Sequence, residues 1–176
     1  GDLLASARAR FALPAELRAS AYALASDAVR RAQAAGDRTL EALAVGQVAL
    51  LYEEERRDEE ALALAQRAVV LAQEAPLPAR SYLWHWLSGR TLDRLGETGR
   101  AAEAYAAAVA ALRQVRSDLQ VGTGDVYREV VGPIFYEYAD LLLRDADGLA
   151  DAARRQEALA SVRSLLEEVK VVEVRD

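Results

Sequence analysis

The sequence contains no cysteine, no methionine and no asparagine. It has one histidine, His85, and one lysine, Lys170, so arginine carries nearly all of the positive charge. Without cysteine there is no disulfide framework, no thiolate zinc site and no cysteine nucleophile in this chain. Without asparagine there is no N-glycosylation acceptor. A single histidine excludes paired-histidine metal sites. Aromatic residues are 6% of the chain and strand formers are scarce, with one isoleucine and two phenylalanines. No apolar run approaches the ~20 residues that a membrane helix needs. A net charge of -6 lacks the basic face that nucleic-acid binding normally requires. No membrane and no nucleic-acid partner are therefore expected, and the expected location is the cytoplasm. The start, Gly1-Asp2-Leu3-Leu4, has neither an initiator methionine nor a basic leader region. It reads as a piece of a longer chain. The excess of arginine over lysine, with abundant alanine, fits a GC-rich bacterial genome.

What is present favours helix. About a fifth of the 176 residues are alanine, and leucine, glutamate and arginine supply much of the rest. The length suits one domain that can bury a core without staples. Breaks fall at Pro14, Gly36-Asp37, Asp58, Pro76 to Pro78, Gly96 to Gly99, Gly122 to Asp125 and Asp145 to Gly148. They predict helices over about 15–35, 38–56, 59–75, 79–95, 99–119, 125–144 and 150–170. Gly132-Pro133 either kinks the sixth or marks its true start, leaving 125–131 as a separate turn. The connections are short, so neighbouring helices are expected to run antiparallel as hairpins.

An offset of forty residues aligns Ala21, Ala61 and Ala101, and likewise Ala28, Ala68 and Ala108. Ala25, Ala65 and Tyr105 fall together, as do Ala49 with Gly89 and Tyr52 with Leu92. Small residues recur where helices approach closely, and large ones where a gap must be filled. The series Gly89, Leu92, Ala101, Tyr105, Ala108, with Gly96-Glu97 at the turn, resembles the tetratricopeptide repeat. The chain departs from that family in period, which is about 34 there, and in the late position of Pro76. The excess lies between Ala68 and Gly89, lengthening both helices. A final, degenerate unit is formed by Tyr136, Ala139 and Leu142, then Ala158, Val162 and Leu165. The resemblance implies an all-α fold, with antiparallel hairpins stacked as a right-handed tetratricopeptide-like solenoid of lengthened helices. Residues 1–176 then form one domain with units at about 1–35, 38–75, 79–119 and 125–170.

A narrower resemblance covers about fifty residues. Tyr127, Phe135, Tyr136, Ala139, Asp140 and Leu141 to Leu143, followed by Ala158, Leu165, Leu166, Val169, Lys170 and Glu173, resemble the last helical pair before the peptidase of bacterial CHAT-domain proteins. It implies a sensing or recruiting arm, with the catalytic His and Cys of that family beyond Asp176. The chain itself is then not an enzyme. A sensor segment of a transcription or signalling regulator, or a stand-alone adaptor, is the alternative.

Chemistry-bearing residues are few. His85 has no second histidine or carboxylate at helical spacing, so packing or surface placement is the expectation. The acidic run Tyr52 to Glu60 could hold a divalent cation, but a solvated helix end and turn accounts for it better. Gly122-Thr123-Gly124 lacks the Lys-Ser/Thr of a phosphate loop. No metal, no cofactor and no catalytic residue is expected. The first helices of stacked pairs line a concave side that binds extended partners. The candidate groove for a protein or peptide partner is Leu50, Glu53, Trp86, Arg90, Asp93, Tyr136 and Asp140. Trp86 with Arg90 one turn on can grip a peptide; otherwise Trp84 or Trp86 fills the gap between helices, and one of the two must be largely buried. A small-molecule pocket near Trp86 is a third expectation. The single lysine and absent asparagine disfavour a co-chaperone carboxylate clamp. The downstream domain is a further expected partner, and a weak homodimer is expected through the C-terminal helix around Leu165 and Val169.

Overall fold

Helix-favouring composition is realised as seven helices among the described residues, with no strand. The computed structural model describes residues 15–75, 78–118 and 132–173, with side chains left out at 15–16, 78–79, 115–118 and 169–173. The helices are α1 (Ala15–Ala35), α2 (Arg38–Glu54), α3 (Asp58–Glu74), α4 (Pro78–Arg94), α5 (Thr98–Asp118), α6 (Gly132–Gly148) and α7 (Ala152–Glu173). The described residues are all-helical apart from the short turns between helices. Two compact units are distinguished, one through Leu77 and one from Pro78.

The turns have a common construction. After α1, the Gly36 amide donates to the Gln33 carbonyl and the Asp37 amide to the Ala32 carbonyl. After α2, Arg56 donates to Glu53 and Arg57 to Tyr52; after α4, Gly96 donates to Asp93 and Glu97 to Leu92. Each pair of bonds is a Schellman C-cap, whose first residue adopts a left-handed conformation. Gly36 (φ 67°) and Gly96 (φ 79°) adopt it freely, but Arg56 (φ 61°) does so with a Cβ. Arg56→Gly is therefore expected to stabilise the first unit by up to ~1 kcal/mol. A raised thermal midpoint in far-UV circular dichroism checks this.

In the first unit α2 packs against both α1 and α3. Contacts join the start of α1 to the end of α2 (Tyr22–Tyr52) and the end of α1 to the start of α2 (Gln33–Glu41), so these helices run antiparallel. The core is built largely from small residues: Ala42, Ala49, Ala61, Ala65 and Ala68 are fully buried, with Val45 almost so. Glu41 is buried among them. Its carboxylate accepts from Gln33 Nε2 (3.0 Å), Arg38 Nη1 (2.9 Å) and Arg67 Nη2 (2.6 Å), which belong to α1, α2 and α3 respectively.

In the second unit α4 packs on α5, α5 on α6 and α6 on α7. Its core gathers Ala108, Val109 and Leu112 of α5, Ile134 and Phe135 of α6, and Leu165 of α7. Leu165 thus lies inside this chain's own core, where the sequence pattern placed it on an open dimerisation face. The side chain of Val169, its expected partner there, lies outside the described residues. The exposed leucine of α7 is Leu159. On α4, the buried Ser88 and Thr91 hydroxyls return to the carbonyls of Trp84 and Leu87, so neither is orphaned. Gly89 sits against the ring of Tyr105, where an added Cβ would be 2.8 Å from Cδ2.

The sixth helix differs from its predicted span of 125–144. Over the described residues it spans Gly132–Gly148, with Pro133 near the start of that span. Residues 125–131, with Tyr127 and the Gly122 turn, lie outside the described residues. At the other end α6 continues through Asp145 to Gly148, which the sequence pattern assigned to a turn. The reason is Ala146: it is 1% exposed, and its burial holds the last turn helical while Asp145 and Asp147 face water.

Candidate functional site

Among the described residues of α4 the buried ones are Trp84, Leu87, Ser88, Gly89, Thr91 and Leu92, gathered on one side at helical spacing. Trp84 is the largely buried tryptophan, at 4% exposure, while Trp86 is half-buried and packs against the core of α5, α6 and α7. Trp86 falls on a second stripe with Arg90 and Asp93, and α6 lies alongside it. Trp86 Nε1 donates to Glu137 Oε2 at 2.7 Å. Arg144 Nη2 and Nη1 donate to the two carboxylate oxygens of Asp93 at 2.8 and 3.2 Å. Both links join residues 51 apart, so α4 and α6 run parallel.

The Arg90 guanidinium carbon stands 4.1 Å from the centre of the Trp86 ring, a cation–π contact across one helical turn within the chain itself. Arg144 also donates from Nε to Asp140 Oδ2 at 3.0 Å. Its two carboxylate partners, Asp93 first, raise its pKa further above the ordinary guanidinium value. Tyr136, Asp140 and Arg144 follow at four-residue intervals and form one exposed stripe of α6. Beneath it, Tyr105 donates its hydroxyl to Glu137 Oε2 at 3.2 Å and stacks on Tyr138, ring centres 5.7 Å apart and 8° from parallel. Burial, with the adjacent Glu137 charge, pushes the Tyr105 phenol far above its ordinary pKa, so it remains a donor. The glutamate thus receives two neutral donors, and the Trp86 ring edge is fixed from below.

Five of the seven sequence-predicted residues therefore share one face of the second unit: Trp86, Arg90, Asp93, Tyr136 and Asp140. Leu50 and Glu53 lie on α2 of the first unit, both half-buried. Three residues of the face were missed. Arg144 was readable as the helical pair of Asp140. Glu137 and Tyr138 left no signal, because their partners come from other helices.

His85 is half-buried, and burial lowers its imidazole pKa, so it is neutral at neutral pH. In the acidic run, Arg57 pairs with Glu60 at 2.7 Å and lies over Tyr52. Among the described residues no group of three His, Asp or Glu side chains is placed to hold a metal ion, and no helix is long and apolar enough to cross a membrane. Compared with known protein families, characterised proteins and solved structures, the chain matches none.

Proposed function

We propose that the chain is a tetratricopeptide-like protein-interaction module, which binds an extended peptide segment across α4 and α6. The observation that carries this reading is the ordered face bearing Trp86, Arg90, Tyr136 and Asp140. Tryptophan, tyrosine and arginine are the residues that dominate binding energy at protein interfaces. Here they sit on helices rather than loops, with Trp86 held by Glu137, Arg90 laid over the Trp86 ring and Asp140 held by Arg144, so less entropy is lost on docking. Tyr136 remains 48% exposed. The repeat reading is supported by the tight approach at Gly89 and by full burial of Ala61, Ala65, Ala68, Ala101 and Ala108 at the forty-residue marks. In this proposal the module is the cytoplasmic sensing or recruiting arm of a bacterial CHAT-type peptidase, and the α6–α7 pair relays docking to the following domain.

A peptide-display selection on the purified chain tests the binding reading. Enriched peptides should lose at least about tenfold in affinity on Trp86→Ala and on Arg90→Ala, with helicity unchanged. Undiminished binding to both variants would overturn the assignment of this face. The coding sequence after Asp176 tests the parent: a caspase-like domain with His and Cys supports the arm, and a helix-turn-helix domain rejects it.

A further inference from the structure

The α2–α3 turn breaks two local preferences at once. Its left-handed C-cap position holds Arg56 where the sister turns hold glycine. Its N-cap position holds Arg57, which makes no side-chain cap bond, whereas Asp37 caps α2 through Leu40 N at 2.9 Å. Departures from local rules concentrate where a residue has another task. Arg57 lies over the Tyr52 ring at 4.1 Å from its centre. Tyr52 in turn meets Tyr22 edge-on, hydroxyls 3.0 Å apart.

These residues line an open pocket of about 420 Å³ with Arg18, Ala19 and Glu55. Arg18 Nε is buried there without a hydrogen-bond partner. Buried donors are nearly always satisfied, so the Arg18 guanidinium is held here without an acceptor from the protein at Nε. Of two hydroxyls bonded to each other, only one proton is used in that bond, so the other is available to a second acceptor. Arg57 is already shared between Glu60 (2.7 Å) and Glu55 (4.0 Å). Arg18 has no ion pair among the described residues, so the pocket carries one uncommitted positive charge. One charge suits a monoanion better than a dianionic phosphate. An adjoining cleft of about 180 Å³ shares Tyr22 and Tyr52 and is lined by Val29, Val45, Val48 and Leu64, with Ser26 and Arg67 as its polar members. It offers an apolar surface next to the donors.

We propose that this pocket of the first unit binds a small monocarboxylate with an apolar body, the carboxylate on Arg18 and a tyrosyl hydroxyl, the body along Val29 and Leu64. The site is on a different unit from the peptide face, so either assignment can fail without the other.

Sodium octanoate is the probe, titrated by calorimetry and followed in the tyrosine ring resonances. Saturable binding is expected, with octanamide at least about tenfold weaker because it lacks the charge-assisted bonds. Arg18→Gln should weaken octanoate by a similar factor. Glu55→Gln, at the exposed turn, should tighten it severalfold by removing a like charge, an effect of opposite sign that no general loss of structure produces. Absence of saturable binding, equal affinity for octanamide, or an octanoate affinity unmoved in both variants would overturn the proposal. Tighter binding of octyl phosphate than of octanoate would overturn the choice of a monoanion.

Discussion

Tyr105→Ala is expected to destabilise the second unit by about 3–5 kcal/mol, the range for removing a buried aromatic ring. Tyr105 is 2% exposed, stacks on Tyr138 and donates to Glu137. Its loss therefore opens a cavity and removes one of the donors holding the Trp86–Glu137 link. Both tryptophans lie on α4, so fluorescence-monitored denaturation reads this unit directly. The sharper test is the coupling to Gly89. An added Cβ there would stand 2.8 to 3.0 Å from three atoms of the Tyr105 ring, and the ring cannot swing away without losing its stacking and its hydrogen bond. Gly89→Ala alone is thus expected to destabilise by about 1–2 kcal/mol net, overpacking outweighing alanine's helix preference. In the Tyr105→Ala background the space is open and only that preference remains. The same substitution should then stabilise by up to ~1 kcal/mol. Equal signs in both backgrounds would mean that the close approach at Gly89 is not what sets its identity.

That pair also shows why so much of the fold was legible. Forty residues earlier the corresponding positions are Ala49 and Ala65, both fully buried. Small residues at a fixed period are a property of the sequence, and so are the Gly, Asp and Pro breaks that set helix ends. That Trp86 and Arg90 share a face was legible because four residues span one helical turn, whereas the stacking of Arg90 on the Trp86 ring was not foreseen. What stayed hidden depends on contacts between helices. The match of Trp86 with Glu137 and of Asp93 with Arg144 sets a spacing of 51, which the forty-residue repeat does not contain. The pairing of Tyr22 with Tyr52 and the orphaned Arg18 donor are of the same kind. The end of α6 was misjudged because Asp-Ala-Asp-Gly has turn composition, and only the burial of Ala146 overrides it. Leu165 was misplaced because an apolar stripe on a last helix looks the same whether its cover comes from α5 and α6 or from another molecule.

Glu41 is the clearest case of a residue that only the tertiary structure explains, and it carries the second large effect. A mid-hairpin glutamate reads as surface, yet its side chain is 3% exposed while Arg38 and Arg67 remain 57% and 45% exposed. This asymmetry decides which substitution hurts. Removing the carboxylate leaves two guanidiniums that water can reach, so Glu41→Gln is expected to cost only about 1–2 kcal/mol. Removing both arginines leaves a buried carboxylate with Gln33 as its remaining side-chain donor. Arg38→Met with Arg67→Met is therefore expected to cost about 3 kcal/mol at neutral pH, more than Glu41→Gln although more surface-exposed atoms are changed. The pH dependence follows from the same contacts. The Gln33 bond, followed by those from Arg38 and Arg67, holds the Glu41 carboxyl below its ordinary value of 4.5 despite the opposing effect of burial. A carboxyl whose folded pKa is depressed contributes stability that is fully present above the unfolded value and is lost as pH falls through the folded one. The wild-type first unit should therefore lose stability below about pH 4.5. In the double methionine variant two of the lowering contacts are gone, so the acid-dependent loss should shrink even though the variant starts from lower stability. Chemical denaturation followed by circular dichroism between pH 7 and pH 3 measures both changes. An acid loss of unchanged size in the variant would mean that other carboxylates, not Glu41, set the acid limit of this fold.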